Sequence, residues 1–179
     1  MKVYVVRHAE TNYNVLGLCN DDPNVDVHLT QNGVKQAESL AKTLEAVDFD
    51  LVITSDLSRT KETAKIIVGQ DKDIPTIVDV RISDTKSGFE GRPVSEFRAA
   101  RSSAPDIFTA SFNGGESIED QKVRVSAFLD DLKKMDKTCV LIVTHQSIAR
   151  LIHASIFSEL TKADDDLDIG NTYCFDFEY

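Results

Sequence analysis

The chain has 179 residues, 41% of them hydrophobic, and 30 Asp and Glu against 20 Lys and Arg give a formal charge of −10. That length fits one domain able to bury a proper core without help from a metal or disulfide. The negative balance argues against nucleic acid or anionic membrane as partners, because the net field repels both.

Apolar, β-branched runs alternate with helical patterns, and no Pro-, Gly- or Ser-rich linker, internal repeat or low-complexity tract divides the chain. Lys2–Val6 reads as a first strand. Its arrival at Arg7 comes too early for a signal peptide, and no later stretch is long enough to span a bilayer. Thr30 offers an N-cap to a helix whose Val34, Ala37, Leu40, Ala41 and Leu44 recur at helical spacing. Leu51–Thr54 is a second strand, and the helix after it turns Thr60, Ala64, Ile67 and Val68 inward before Gly69, a residue suited to a helix carboxyl end. Thr76–Val80 is expected as a third strand. Ser117 can cap a helix with Ile118, Gln121, Val125, Phe128, Leu129 and Leu132 on one face, followed by the strongest strand, Thr138–Thr144. A helix over Ile148–Leu160 comes next. In the edge strand Thr172–Glu178, Tyr173, Phe175 and Phe177 alternate with Cys174, Asp176 and Glu178, as a strand with one wet face does. This order predicts an α/β fold, a three-layer α/β/α sandwich around a mainly parallel sheet, with residues 1–179 as a single domain. Cys19, Cys139 and Cys174 include no C-x-x-C and fit reduced thiols in a cytoplasmic protein, Cys139 being a buried strand residue.

Four polar stations follow directly on short apolar runs: Arg7-His8-Ala9-Glu10-Thr11, Ser55-Asp56-Leu57-Ser58-Arg59, Asp84 ahead of Gly88-Phe89-Glu90-Gly91, and Thr144-His145. If the runs are strands, the stations sit at strand carboxyl ends, where open α/β sheets bind ligands. A phosphomonoester dianion needs charge neutralisation, an in-line nucleophile and a proton for the leaving oxygen. A neutral His8 can attack phosphorus to form a phosphohistidine, provided a backbone carbonyl fixes its other nitrogen. Arg7 and Arg59 can each donate paired hydrogen bonds to phosphoryl oxygens, and His145 can add a donor where charge accumulates. Taken alone, Arg59 reads as an exposed helix residue; its place after Ser55-Asp56 reverses that reading. Asp84, driven toward its protonated form by a bound dianion, can protonate the departing alkoxide and then activate water. Asp79 and Glu90 compete for that role. Thr11, Asn14 and Asn20 are candidate polar contacts to the phosphate, or organise their loop only. His28 and His153 read as structural. No cofactor and no metal is expected: the chain lacks H-x-H and H-E-x-x-H pairs, and the arginines would repel a cation.

From Val3 to about Ile152, these residues resemble the histidine phosphatase superfamily, the phosphoglycerate mutase-like proteins. Arg7-His8-Ala9-Glu10-Thr11 with Asn14 resembles the family signature, in which the histidine is phosphorylated and the preceding arginine holds the phosphate. Leu29-Thr30 through Gly33, Gln36 and Ala37 resembles the entry to the family's first helix. Ser55 through Ala64 resembles the segment carrying a second phosphate arginine, which is Arg59 by position. The resemblance places a proton donor at Asp84, four residues before Gly88, where the family more often has Glu, and makes His145 the second histidine. Gly115-Glu116-Ser117 matches another recurring element. Many members have glycine after the second histidine; here Gln146 stands there, as in members resembling fructose-2,6-bisphosphatase. Its amide can reach a phosphate or a substrate hydroxyl, or point to solvent at a helix start.

The resemblance also implies that a segment at about residues 91–115 roofs the pocket. Its shortness favours hydrolysis over a mutase, which must retain a bisphosphorylated intermediate. The expectation is therefore a metal-independent phosphomonoesterase that works through phosphorylated His8 on a small phosphorylated metabolite or a phosphoprotein and releases phosphate ion. A phosphoglycerate mutase and a non-catalytic phosphate-binding module are the alternatives. Arg92, Arg98 and Arg101, with Lys86 nearby, either face the pocket entrance in part or form a solvated helix face. Monomer or homodimer is expected, since Thr172–Glu178 could pair with a second copy although Asp176 and Glu178 discourage it.

Overall fold

Strand β1 (Lys2–Arg7) sends Val3 and Val5 to one side and Tyr4 and Val6 to the other, the alternation of a pleated chain. Both sides are apolar because both are covered. The computed structural model describes residues 1–69, 73–157 and 174–179. In it, β2 (Leu51–Thr54), β3 (Thr76–Val78), β4 (Cys139–Thr144) and β5 (Cys174–Glu178) join β1 in one sheet of order β3-β2-β4-β1-β5. Neighbours among β1 to β4 pair in parallel, and β5 runs antiparallel to β1.

Helices α1 (Asn12–Leu16), α2 (Gln31–Thr43), α3 (Ser58–Val68), α4 (Val94–Ser102), α5 (Ile118–Leu132) and α6 (Gln146–Phe157) complete the described elements. Phe128, Leu129 and Leu132 of α5 and Ile148 and Ile152 of α6 bury the face carrying Val3, Val5, Ile53 and Ile142. Leu44 at the end of α2 and Ala64 and Ile67 of α3 bury the opposite face, with Val6, Val52, Leu141 and Val143. The result is the three-layer sandwich with a mainly parallel sheet. The chain leaves β1 through α2 on one face and leaves β4 through α6 on the other, so a crevice opens at the carboxyl ends of these adjacent strands.

Register then decides what the crevice contains. Arg7 pairs with Thr144, and Thr54 with Val143. His8, His145 and Ser55 therefore leave the sheet side by side. All three are buried.

Several boundaries differ from the sequence expectation. The third strand stops at Val78, because Asp79 accepts the Arg81 N–H (2.9 Å) and caps a 3-10 turn over Val80–Ile82 that buries Ile82. As an edge strand, β3 leaves Ile77 and Val78 exposed. The sixth helix starts at Gln146 rather than Ile148; Ser158–Leu160, like Thr172 and Tyr173, lie outside the described residues. Helices α1 and α4 have no buried residue, so neither carries the apolar stripe that betrays a helix in sequence. Cys139, at the first position of β4, is only partly buried. Among the described residues, no helix is long and apolar enough to cross a membrane.

Helix α2 also fixes the first station. Thr30 caps it by accepting the Gly33 N–H (2.9 Å), and the Thr30 N–H and hydroxyl donate to the Glu10 carbonyl and carboxylate at 3.0 and 2.6 Å. A Cβ at Gly33 would lie 2.1 Å from the Glu10 carbonyl oxygen, so backbone meets backbone there. Gly33→Ala should lower stability by about 1–3 kcal/mol, the usual cost of overpacking, read as a lower urea midpoint with unchanged m-value.

Candidate active site

His8 follows β1 directly, and its backbone N–H donates to the Thr144 carbonyl (2.9 Å), continuing the pairing with β4. Its ring Nδ1 lies 2.8 Å from the Ala9 carbonyl oxygen. A carbonyl only accepts, so Nδ1 carries the proton and Nε2 is left with the lone pair. Burial first, then the charge of Arg59, holds the His8 pKa well below 6.5, against the opposing effect of the Ala9 hydrogen bond. The ring is therefore neutral near pH 7.

His145 stands beside it, ring centroids 5.2 Å apart. Its Nε2 lies 2.9 Å from Ser55 Oγ, which also accepts the Leu57 N–H (3.2 Å) and touches Thr60 Oγ1 (2.9 Å). The other nitrogen, Nδ1, is buried without a hydrogen-bond partner and sits 3.4 Å from Asp84 Oδ2. Burial, with Arg59, Arg124 and Arg7 adding in that order, lowers this pKa well below 6.5 too.

Arg59, in the first turn of α3, is buried and held on three acceptors. Nη1 donates to Asn20 Oδ1 (2.6 Å), and Nη2 donates to the Asn20 carbonyl (3.0 Å) and Asp84 Oδ2 (2.8 Å). Asn20 thus orients Arg59. The three candidate acids separate cleanly. Asp79 pairs with Arg81, and Glu90 accepts from Asn20 Nδ2 (3.0 Å) and from the Asp21 and Asp22 N–H groups (2.6 and 3.0 Å), while Asp84 alone of them reaches Arg59 and His145. Arg124 braces the Asp84 turn: it pairs with Glu116 (2.7 Å) and donates to the Arg81 and Asp84 carbonyls at 2.6 and 3.3 Å.

Arg7, His8, Thr11, Asn14, Asn20, Arg59, Asp84 and Gln146 all line one cavity of about 910 Å³, and His145 lies beneath it, fully buried, against Asp84. Burial is the main cause that lowers the Arg7 pKa. Thr11 and Asn14 use their side chains on each other, as a reciprocal cap of α1. The sequence reading assigned no role to Ser55, Arg124 or Arg150. Ser55 and Arg124 act through neighbours, which leaves no local pattern; Arg150 lines the cavity five residues past His145, after a turn and a half of α6. His8, Asp84 and His145 can offer ligand atoms within 4.8 Å of one another. Against a dication there, the Arg59 guanidinium lies 2.8 Å from the same carboxylate and repels a second cation.

The model of the histidine phosphatase superfamily (branch 1) matches residues 3–179. The chain belongs to that superfamily. It is 36% identical over 167 residues to the fructose-2,6-bisphosphatase TIGAR of Xenopus tropicalis, covering 89% of this chain and 58% of the frog protein. It is 28% identical over 170 residues to the adenosylcobalamin/alpha-ribazole phosphatase of Escherichia coli, covering 91% and 82%. The chain spans about half the length of the curated TIGAR relatives it matches. Among solved structures, a putative alpha-ribazole-5'-P phosphatase of Escherichia coli superposes with TM-score 0.83 at 26% identity, over 99% of this chain and 91% of that one. A phosphoserine phosphatase of Entamoeba histolytica gives 0.77 at 26% identity, over 99% and 90%.

Two neutral buried imidazoles make stability pH-dependent. Once unfolded, each takes up a proton near pH 6.5; in the fold each resists to a much lower pH. Below pH 6.5 the unfolded state binds more protons, so stability should fall with pH by about 1.4 kcal/mol per unit per histidine until the folded groups titrate. Urea unfolding between about pH 5 and 7.5 should show this slope, and His145→Gln should flatten it.

Proposed function

We propose that this protein is a metal-independent phosphomonoesterase that hydrolyses a small phosphorylated metabolite through a phosphohistidine on His8. The observation that carries the reading is the orientation of that ring: Nδ1 is engaged by Ala9, which leaves the Nε2 lone pair as the nucleophile in a site flanked by Arg7 and Arg59. The relatives named above support it, each being called a phosphatase or bisphosphatase.

Asp84 holds the Arg59 guanidinium. An incoming phosphoryl group takes that guanidinium and leaves the carboxyl beside the leaving oxygen, where a proton taken from solvent lets it act as the acid. His8 Nε2 then attacks phosphorus; the N–P bond forms, the bond to the leaving oxygen breaks, and Asp84 gives that oxygen its proton. Water next attacks the phosphohistidine, Asp84 takes a proton from it, and inorganic phosphate departs with the imidazole restored. Arg7 and Arg59 neutralise the equatorial oxygens in both steps. His145 adds a donor if Ser55 Oγ–H donates to Nε2, since the imidazole proton then sits on Nδ1.

In this reading residues 1–179 act as a single domain, and about 91–115 form a short lid, with α4 contributing to the cavity wall. A short lid gives little hold on a released bisphosphate, which favours hydrolysis over the mutase alternative. A cytoplasmic monomer or homodimer fits the reading.

Turnover of an aryl phosphate should persist in excess EDTA and trap an acid-labile phosphoenzyme on rapid quench, with both lost in His8→Ala. Asp84→Asn should cost about 10²–10⁴-fold with alkyl phosphates and much less with aryl phosphates, whose leaving oxygen needs no proton. Loss of activity on chelation would overturn the mechanism.

A further inference from the structure

The cavity is far larger than an orthophosphate needs, and its outer wall carries charge that the mechanism leaves unused. Among the described residues, five arginines line it, Arg7, Arg59, Arg98, Arg101 and Arg150, against one carboxylate, Asp84. In a chain of formal charge −10, that lining runs against the overall balance and focuses a positive field in one place.

The cations grouped by the sequence divide in the fold. Arg92 is taken, since it pairs with Glu96 and lies 4.7 Å over the Phe89 ring, and neither it nor Lys86 lines the cavity. Arg98 and Arg101 do line it, three residues apart and so on one face of α4. Among the described residues, neither has an ion-pair partner. Their helix is anchored, because Phe97 packs against Phe89 and Phe112 with ring centroids 5.8 and 6.3 Å away. Arg101 lies 5.6 Å over the Phe97 ring, a cation on a platform rather than loose in solvent. Leu18, Val94 and Phe97 give the same cavity an apolar strip on which a short carbon skeleton can lie.

We propose that Arg98 and Arg101 form a second anion subsite in the cavity wall, and that the substrate is a compact phosphate ester carrying a second anionic group, a phosphate or a carboxylate. This rests on the phosphomonoesterase reading and specifies its substrate class. The scissile phosphate lies on Arg7 and Arg59 beside His8, the skeleton lies along the apolar strip, and the second anion is held by α4. Guanidinium forks match either anion bidentately. The subsite grips ground and transition states alike, so its effect falls on KM rather than kcat.

The test uses titration calorimetry on His8→Ala protein, which cannot form the phosphoenzyme, with two matched pairs of ligands: a hexose bisphosphate against the hexose monophosphate, and phosphoglycerate against glycerol phosphate. The second anion should tighten Kd by about tenfold or more in at least one pair, the order of one well-placed, partly shielded ion pair. Adding Arg98→Gln and Arg101→Gln should bring that ratio close to one. The pair that responds identifies the second anion as phosphate or carboxylate. A ratio near one with both arginines present, or a ratio that survives their replacement, overturns the subsite. Wild-type turnover of phenyl phosphate is read separately: its absence overturns the phosphomonoesterase reading, whereas the affinity ratio reports on the arginines alone.

Discussion

The proposed chemistry depends on one short hydrogen bond, from His8 Nδ1–H to the carbonyl of the very next residue, Ala9, at 2.8 Å. It sets the tautomer, aims Nε2 and resists rotation of the ring. The bond exists because β1 and β4 pair in a register that ends on Arg7 and Thr144, and because the Ala9 N–H donates to Thr63 Oγ1 (3.1 Å) on α3, which fixes the peptide beyond the strand. A slip of one residue would turn His8 to the other face of the sheet. Burial of Val6, Val143 and Val52 on one side and Val5, Ile142 and Ile53 on the other opposes such a slip.

A second constraint is competition for Arg59. Its guanidinium is shared between Asn20 and Asp84. Asn20 is neutral and anchored by Glu90, so it holds the arginine in place without cancelling its charge. Asp84 does cancel it, on a turn braced by Arg124 and Glu116. In the proposed mechanism substrate arrival exchanges one anion for another, and the same displacement frees the carboxyl to act on the leaving oxygen. Removing one partner of a buried pair leaves the other charge uncompensated. That is why the acid and the arginine are best regarded as one device.

The layers and sheet were legible in the sequence because each core strand is a short, continuous apolar run bounded by a polar station, as buried parallel strands require. Placing those stations at strand ends needed no more. Choosing Asp84 over Asp79 and Glu90 rested on spacing and resemblance; the fold separates them through the 3-10 turn after β3 and the Glu90 contacts with the Asp21 and Asp22 backbone. Helices α1 and α4 left no trace in periodicity because they bury no residue, yet both line the cavity. The split among Arg92, Arg98 and Arg101 was equally hidden, since it depends on where α4 begins, on the Arg92 contacts with Glu96 and Phe89, and on which face of α4 meets the pocket. Ser55 stood within a recognised station, but its contact with His145 spans 90 residues of sequence.

The most direct test of the central claim is the protonation state of His8, read by two-dimensional NMR of the ring nitrogens in uniformly 15N-labelled protein, with His8→Gln used to assign the signals. At pH 6.5, where an ordinary imidazole is half protonated, the account expects a neutral ring with its proton on Nδ1 and an Nε2 shift typical of a bare lone pair. A doubly protonated ring at that pH, or a neutral ring with its proton on Nε2, would contradict the assignment of His8 as the nucleophile.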